Sequence, residues 1–136
     1  MYDNGGGIAV LVRSLEIAAT PEAAASARRW LDGITPLRSL GQVGFDVRLL
    51  ATELVSNSVR HAGLDPSDEI ELRLDLNETR LRMEVRDSGT GFDPSPRERD
   101  SRAEGGRGLL IVAAIAHRWG LETEDGSLVW FEIDLD

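Results

Sequence analysis

Leu81-Arg82-Met83-Glu84-Val85-Arg86-Asp87-Ser88-Gly89-Thr90-Gly91-Phe92 decides how the chain is read. Leu81, Met83 and Val85 alternate with charged residues, the period of a strand with one buried face. The strand ends on an acid. Two glycines at a spacing of two follow, and glycine lets backbone approach a ligand closely. A carboxylate fixed at such a strand end can read the polar edge of a ligand. Taken alone, the stretch is also what an ordinary turn looks like. Its neighbours decide between the two.

Upstream, Glu69 to Leu76 alternates as cleanly: Ile70, Leu72, Leu74 and Leu76 on one side, Glu71, Arg73 and Asp75 on the other. Asn77-Glu78-Thr79 joins the two strands as a hairpin. Such a pair has one apolar face that needs a cover, and helices supply it. The longest helix is expected over Phe45 to Ala62, with Val47, Leu49, Leu50, Leu54, Val55 and Val59 as its apolar side. Glu53, Asn57 and Arg60 or His61 fall a turn apart on that helix. An amide oxygen is a hard ligand suited to Mg²⁺, and a carboxylate one turn away can take a proton from a nucleophile. The same pair would equally suit a solvated helix face. His61 suits a helix end, where a polar or cationic group meets the dipole.

Further upstream, Thr20-Pro21-Glu22 signals a helix running from Pro21 to Leu31, with Thr20 as cap and Asp32-Gly33 as its end. Ile8 to Ile17 reads as a first strand, and Thr35 to Gly44 as a connector. Met1 to Gly7 reads as a flexible leader, with no basic segment ahead of an apolar run. Downstream, Asp93 to Glu104 is charged, holds Pro94 and Pro96 and shows no periodicity, so a mobile loop is expected there. Gly105-Gly106-Arg107-Gly108 opens an apolar helix from Leu109 to His117. Free N–H groups at such a helix start can seat a phosphate; a tight turn is the plain alternative. Trp119 to Glu124 and Ser127 to Leu135 close the chain as a hairpin about Asp125-Gly126.

Bulk properties narrow the classes. The chain has 136 residues, 41% hydrophobic and 29% charged, which fits a single globular domain. The net charge of −9 argues against a general nucleic-acid binder. Every basic residue is arginine, so mechanisms built on a phosphate-loop lysine or a kinase strand lysine are excluded. Cysteine is absent, so disulfides and thiolate metal sites are excluded. No apolar run reaches the roughly 18 residues of a membrane span. A cytoplasmic protein without membrane or nucleic-acid partners is expected.

The order of the motifs is more specific than any one of them. Glu53-Leu54-Val55-Ser56-Asn57-Ser58-Val59-Arg60-His61-Ala62, then Asp87-Ser88-Gly89-Thr90-Gly91, then Gly106-Arg107-Gly108-Leu109 resemble the N, G1 and G2 boxes of the gyrase, chaperone and histidine-kinase ATPase superfamily. The closing Gly126-Ser127-Leu128-Val129-Trp130-Phe131-Glu132 and the short length narrow the likeness to the anti-sigma-factor serine kinase family, in its short actinobacterial-type form. The resemblance covers about residues 15–136.

The resemblance implies an α+β fold, a two-layer sandwich of the Bergerat type. Its mainly antiparallel, mixed sheet of four to five strands carries three helices on one face. One domain, 8–136, is implied, with residues 93–105 as an ATP lid. It implies ATP and Mg²⁺, with Asn57 on the metal, Glu53 as general base and Asp87 on the adenine amino group. Gly89, Gly91 and Phe92 would border the base. Gly106, Arg107, Gly108 and Leu109 would pass the phosphates to the helix, and Arg60 and His61 would complete the N box. It also implies a small STAS-type anti-sigma-factor antagonist as the protein phosphorylated on serine, a sigma factor as alternate partner, and often a homodimer. The chain departs from the family at two points, of which the first is a short lid over Asp93 to Gly105. Some members carry an arginine just before the second glycine box, where Glu104 stands here; Arg102 and Arg107 are the available substitutes. A nucleotide-gated binding module without kinase turnover is the alternative. A histidine kinase fits less well, because no histidine precedes His61 and a phosphoacceptor would have to be supplied in trans.

Overall fold

A computed structural model describes residues 11–61, 64–88 and 107–135. The expected leader and lid, together with Gly89, Gly91, Phe92 and Gly106, lie outside the described residues.

The alternating runs form strands as their period requires. β2 is Glu69–Leu76 and β3 is Arg80–Asp87, the bounds expected from sequence. Their register sets Leu72 against Val85 and Leu74 against Met83, so both apolar sets share one face. The hairpin is tied by Asn77, whose Oδ1 accepts from Thr79 N at 2.9 Å and Arg80 N at 3.0 Å. This local ring is why asparagine favours such turns. β1, Leu11–Ala18, pairs with β2; β5, Ser127–Asp134, pairs with β3; and β4, Arg118–Glu122, pairs with β5. The order is β1-β2-β3-β5-β4. Every pairing is antiparallel, so the described sheet has no parallel pair and β3 lies at its centre.

Among the described residues four helices accompany it: α1, Ala23–Asp32; α2, Thr35–Arg38; α3, Gln42–His61; and α4, Arg107–Ile115. α1 begins later than expected. Thr20 to Glu22 form a turn in which the Thr20 carbonyl, not its hydroxyl, takes the Ala23 N–H at 2.9 Å; Glu22 is the cap position. The expected connector hides α2, a single turn with proline at its start. α3 begins at Gln42 rather than Phe45, which puts Gly44 inside its first turn. A Cβ at Gly44 would lie 2.5 Å from the Leu37 carbonyl oxygen. The crossing of α2 over α3 therefore needs a glycine there, whatever its helix propensity. α4 begins two residues before the expected Leu109.

The inner face of the sheet and the helices share one core. Leu72, Leu74, Leu81, Met83 and Phe131 are fully buried, as are Ala23, Ala27 and Leu31 of α1 and Val47, Leu50 and Val55 of α3. Each large side chain buried this way stabilises the fold by about 1.5–3 kcal/mol. On α3 the buried band runs Val47, Leu50, Ala51, Leu54, Val55 and on to Asn57 and Ser58. Leu49 and Val59, expected in the core, are half-buried.

The outer face is polar and paired across strands. Arg82 stacks its guanidinium 4.5 Å from the Trp130 ring centroid and bonds Glu84 at 3.0 Å and Glu132 at 2.9 Å. Arg118 binds Glu132 at 2.8 Å and also Asp134. The Arg118 hydrogen bond, then that of Arg82, holds the Glu132 carboxyl below the usual carboxylate range despite its burial.

Candidate functional site

The long helix and the central strand converge on three polar residues. Asn57 lies on the buried band of α3 and is only 3% exposed. Its Oδ1 and Nδ2 are both buried, and neither has a hydrogen-bond partner among the described residues. Buried amides nearly always find partners, and each unmet group costs about 1–3 kcal/mol. An amide held this way is open to a ligand that the described residues do not supply.

Ser58, the next residue, is also buried. Its hydroxyl donates to Asp87 Oδ2 at 2.8 Å. Asp87 is the last residue of β3 and is 5% exposed. It lies in register with Ile70 on one side and buried Ser127 on the other. The strand that carries it is fixed by both neighbours, and the helix touches it through Ser58. Behind it packs the β4–β5 turn. Asp125 and Gly126 both have positive φ, +57° and +101°, as an Asp-Gly turn requires. A Cβ at Gly126 would lie 2.3 Å from the Asp87 carbonyl oxygen. The turn is longer than the expected two residues, because β4 ends at Glu122 and leaves 123–126 as the connection.

The other expected site residues sort as follows. Glu53 is half-buried one turn before Asn57, on the same side of α3 as expected. Arg60 is exposed near the end of α3, and His61 is its last residue. Arg107 and Gly108 form the start of α4, so Gly108 stands within its first turn rather than ahead of it; Leu109 is half-buried. α4 packs against α3, and no acidic residue occupies its first turn. That leaves the positive end of the helix dipole without a competing carboxylate of its own. The structure thus brings Asn57 and Asp87 together through Ser58.

Ser58 is the residue that sequence reasoning missed. Its signal was present: it lies four residues after Leu54 and three after Val55, on the stripe facing the sheet. A hydroxyl on such a stripe needs an acceptor.

Among the described residues no three His, Cys, Asp or Glu gather into a metal cage, and no helix is long and apolar enough to cross a membrane.

Comparison with known proteins agrees with this geometry. A family model described as a histidine kinase-like ATPase domain matches residues 17–133. The serine-protein kinase RsbW of Listeria innocua serovar 6a is 28% identical, over 83% of this chain and 80% of that protein. RsbW of Listeria monocytogenes serotype 4b matches with the same identity and coverage. Among solved structures, the histidine kinase domain of the blue-light activated histidine kinase EL346 from Erythrobacter litoralis superposes with a TM-score of 0.53. It shares 22% identity over 88% of this chain and 65% of that one, a likeness of fold. The α+β sandwich expected from the motifs is the fold observed, and the serine-kinase branch is where these curated relatives fall. Because the family model matches residues 17–133, well over half of the chain, the chain belongs to the histidine kinase-like ATPase family.

Proposed function

We propose that the protein binds ATP with Mg²⁺ and acts as a regulatory serine kinase, phosphorylating a small anti-sigma-factor antagonist and, in its other state, sequestering a sigma factor. The observation that carries the reading is the orphaned buried amide of Asn57 beside the Ser58–Asp87 pair. An unmet amide and a buried strand-end carboxylate are what a metal-bound triphosphate and an amino-bearing purine would satisfy.

Asp87 would accept from the 6-amino group of adenine. Guanine presents a carbonyl at that position, so a carboxylate facing it would set acceptor against acceptor. Asn57 Oδ1 would hold the metal, whose remaining ligands would be phosphate oxygens and water. When bound, the metal supplies charge neutralisation at the β- and γ-phosphates. In the transfer, the antagonist's serine oxygen forms a bond to the γ-phosphorus as the bond to the bridging oxygen breaks. ADP leaves, and Glu53 takes the hydroxyl proton. Gly108 and the start of α4 would face the phosphates, joined there by Arg107, with Gly106 and Leu109 on either side. Gly89, Gly91 and Phe92 would line the base, with Arg60 and His61 beside the phosphates, and residues 93–105 would close as a lid.

The test is twofold. Calorimetry with ATP and Mg²⁺ on wild type and Asp87→Ala is expected to show at least a tenfold loss of affinity, the size of a lost hydrogen bond to a charged group. Undiminished binding would contradict the assignment. Incubation with labelled ATP and co-encoded small antagonists should then place label on serine, and Glu53→Gln should abolish transfer while leaving binding in place.

Glu104, standing where some members of the family carry arginine, favours a second reading. In it, nucleotide occupancy sets a partner-binding surface without turnover. ATP binding with no label on any candidate partner would select it.

A further inference from the structure

We propose that the corner where α1, α2 and α3 meet receives a single anchor of a partner protein: a large apolar side chain with a carboxylate on a neighbouring residue. The corner lies at the start of α3, about 18 Å along that helix from Asn57. It is separate from the candidate nucleotide site and does not depend on how that site is read.

A cavity of about 220 Å³ opens there. Leu31 of α1 and Leu37 of α2, both buried, give it an apolar lining. Phe45 of α3 also lines it and is 55% exposed. A large aromatic side chain left in water beside an apolar hollow gains by being covered. The volume decides what kind of cover fits. Pockets for whole small molecules run to about 300–1,000 Å³. This one suits a single large side chain, which is how a protein partner fills a hot spot.

The rim selects the charge. Arg38 and Arg48 stand on it against one acid, Asp32, in a chain whose net charge is −9. The start of α3 lines the same hollow through Gly41 and Gly44, and no acidic residue sits in that helix's first turn. Two guanidinium groups and the positive end of a helix dipole all favour an incoming carboxylate. Arg48 is held without being used up. Its Nη1 donates to Asp32 at 2.8 Å, and its guanidinium carbon lies 6.0 Å from the Phe45 ring centroid. Its Nε is buried and meets no acceptor among the described residues. The two side chains of the Arg48–Asp32 pair are 39% and 46% exposed, so the pair is weak and a second carboxylate can share the arginine. Floor and rim belong to one small cavity. The apolar group and the carboxylate that satisfy them therefore come from neighbouring residues of one segment.

The test is an NMR titration of the full, isotope-labelled chain with the blocked tripeptide acetyl-Asp-Phe-Glu-amide. Shifts are expected at the amides of Gly44, Phe45 and Arg48, with a dissociation constant of about 1 mM, the strength of one buried anchor and its charge. The uncharged acetyl-Asn-Phe-Gln-amide and the anchorless acetyl-Asp-Gly-Glu-amide should each bind at least about fivefold more weakly. Arg38→Gln and Arg48→Gln should each weaken acetyl-Asp-Phe-Glu-amide by about fivefold. Asp32→Asn keeps an acceptor for Arg48 while removing the opposing charge, and should tighten the same peptide by about twofold. That gain separates a rim that reads charge from a corner loosened by substitution, since loosening only weakens binding. No shifts at about 10 mM peptide, equal binding of the uncharged tripeptide, or weaker binding by Asp32→Asn would each overturn the proposal. So would tighter binding of free phenylpropionate, which would mark a small-molecule site. Shifts at the same amides on concentrating the protein alone would overturn it too, by marking a contact between copies of the chain.

Discussion

At the scale of single residues, Asn57 is where stability and function part. A buried amide with no partner among the described residues is a cost to the empty fold, carried on the same helix band as Val47, Leu50 and Leu54. Replacing it by an apolar side chain of similar shape removes that cost. Asn57→Leu is therefore expected to hold or raise the stability of the nucleotide-free protein, by up to about 2 kcal/mol, while abolishing Mg²⁺-dependent ATP binding. Urea unfolding and calorimetry on the same samples read both. A clear loss of stability would show that the amide has a partner in the folded chain and that its role is structural. Asn57 and Asp87 were legible as candidates from residue type and placement: an amide on a helix, an acid closing a strand. Ser58 was legible only as a hydroxyl on the apolar stripe, and its acceptor across on β3 was not.

At the scale of elements, β2 and β3 were legible to the residue, since strict alternation between turn residues marks both the strands and their buried faces. The helix starts were not. Thr20-Pro21 and Thr35-Pro36 look alike as starting signals, yet the first makes a turn ahead of α1 and the second opens α2. Gly44 looked like the end of a linker and is a packing contact inside α3. At Gly44 a contact between elements overrode a local preference, and one sequence read locally does not contain that contact. The Asp125-Gly126 turn was legible from its residue pair, but its contact with Asp87 was not. That contact carries a prediction. Gly126→Ala places a methyl against the Asp87 carbonyl at a positive φ. It should cost about 2–3 kcal/mol from strain and overpacking, and should weaken ATP more than a substitution at exposed Glu124, by displacing the end of β3. Thermal unfolding with ATP titration checks it; full stability and affinity would mean that the turn relaxes away from the strand freely.

For the molecule as a whole, the two faces of the sheet do different work. The inner face supplies the core and the candidate site. The outer face holds the strands in register through charge pairs, with Glu132 receiving arginines from β3 and β4. Most such pairs are exposed and contribute little, but the Glu132 side chain is only 13% exposed. Its folded-state pKa lies below the ordinary value of 4.5. The stability it contributes is therefore full above about pH 4.5 and is lost as pH falls through the lower, folded value. Glu132→Gln should lower the urea midpoint at pH 7, and its gap from wild type should close on acidification below about pH 4.5. A gap that stays constant from pH 7 to 3 would assign the loss to packing instead of charge.

The strand order adds a consequence of its own. β3 is flanked by two strands on either side, so its amides should exchange with deuterium only when the entire domain opens, whereas those of β1 and β4 at the margins can open by fraying. The carboxylate proposed to grip the base would then sit on the slowest-exchanging ground in the protein, an anchor that stays put while its surroundings breathe.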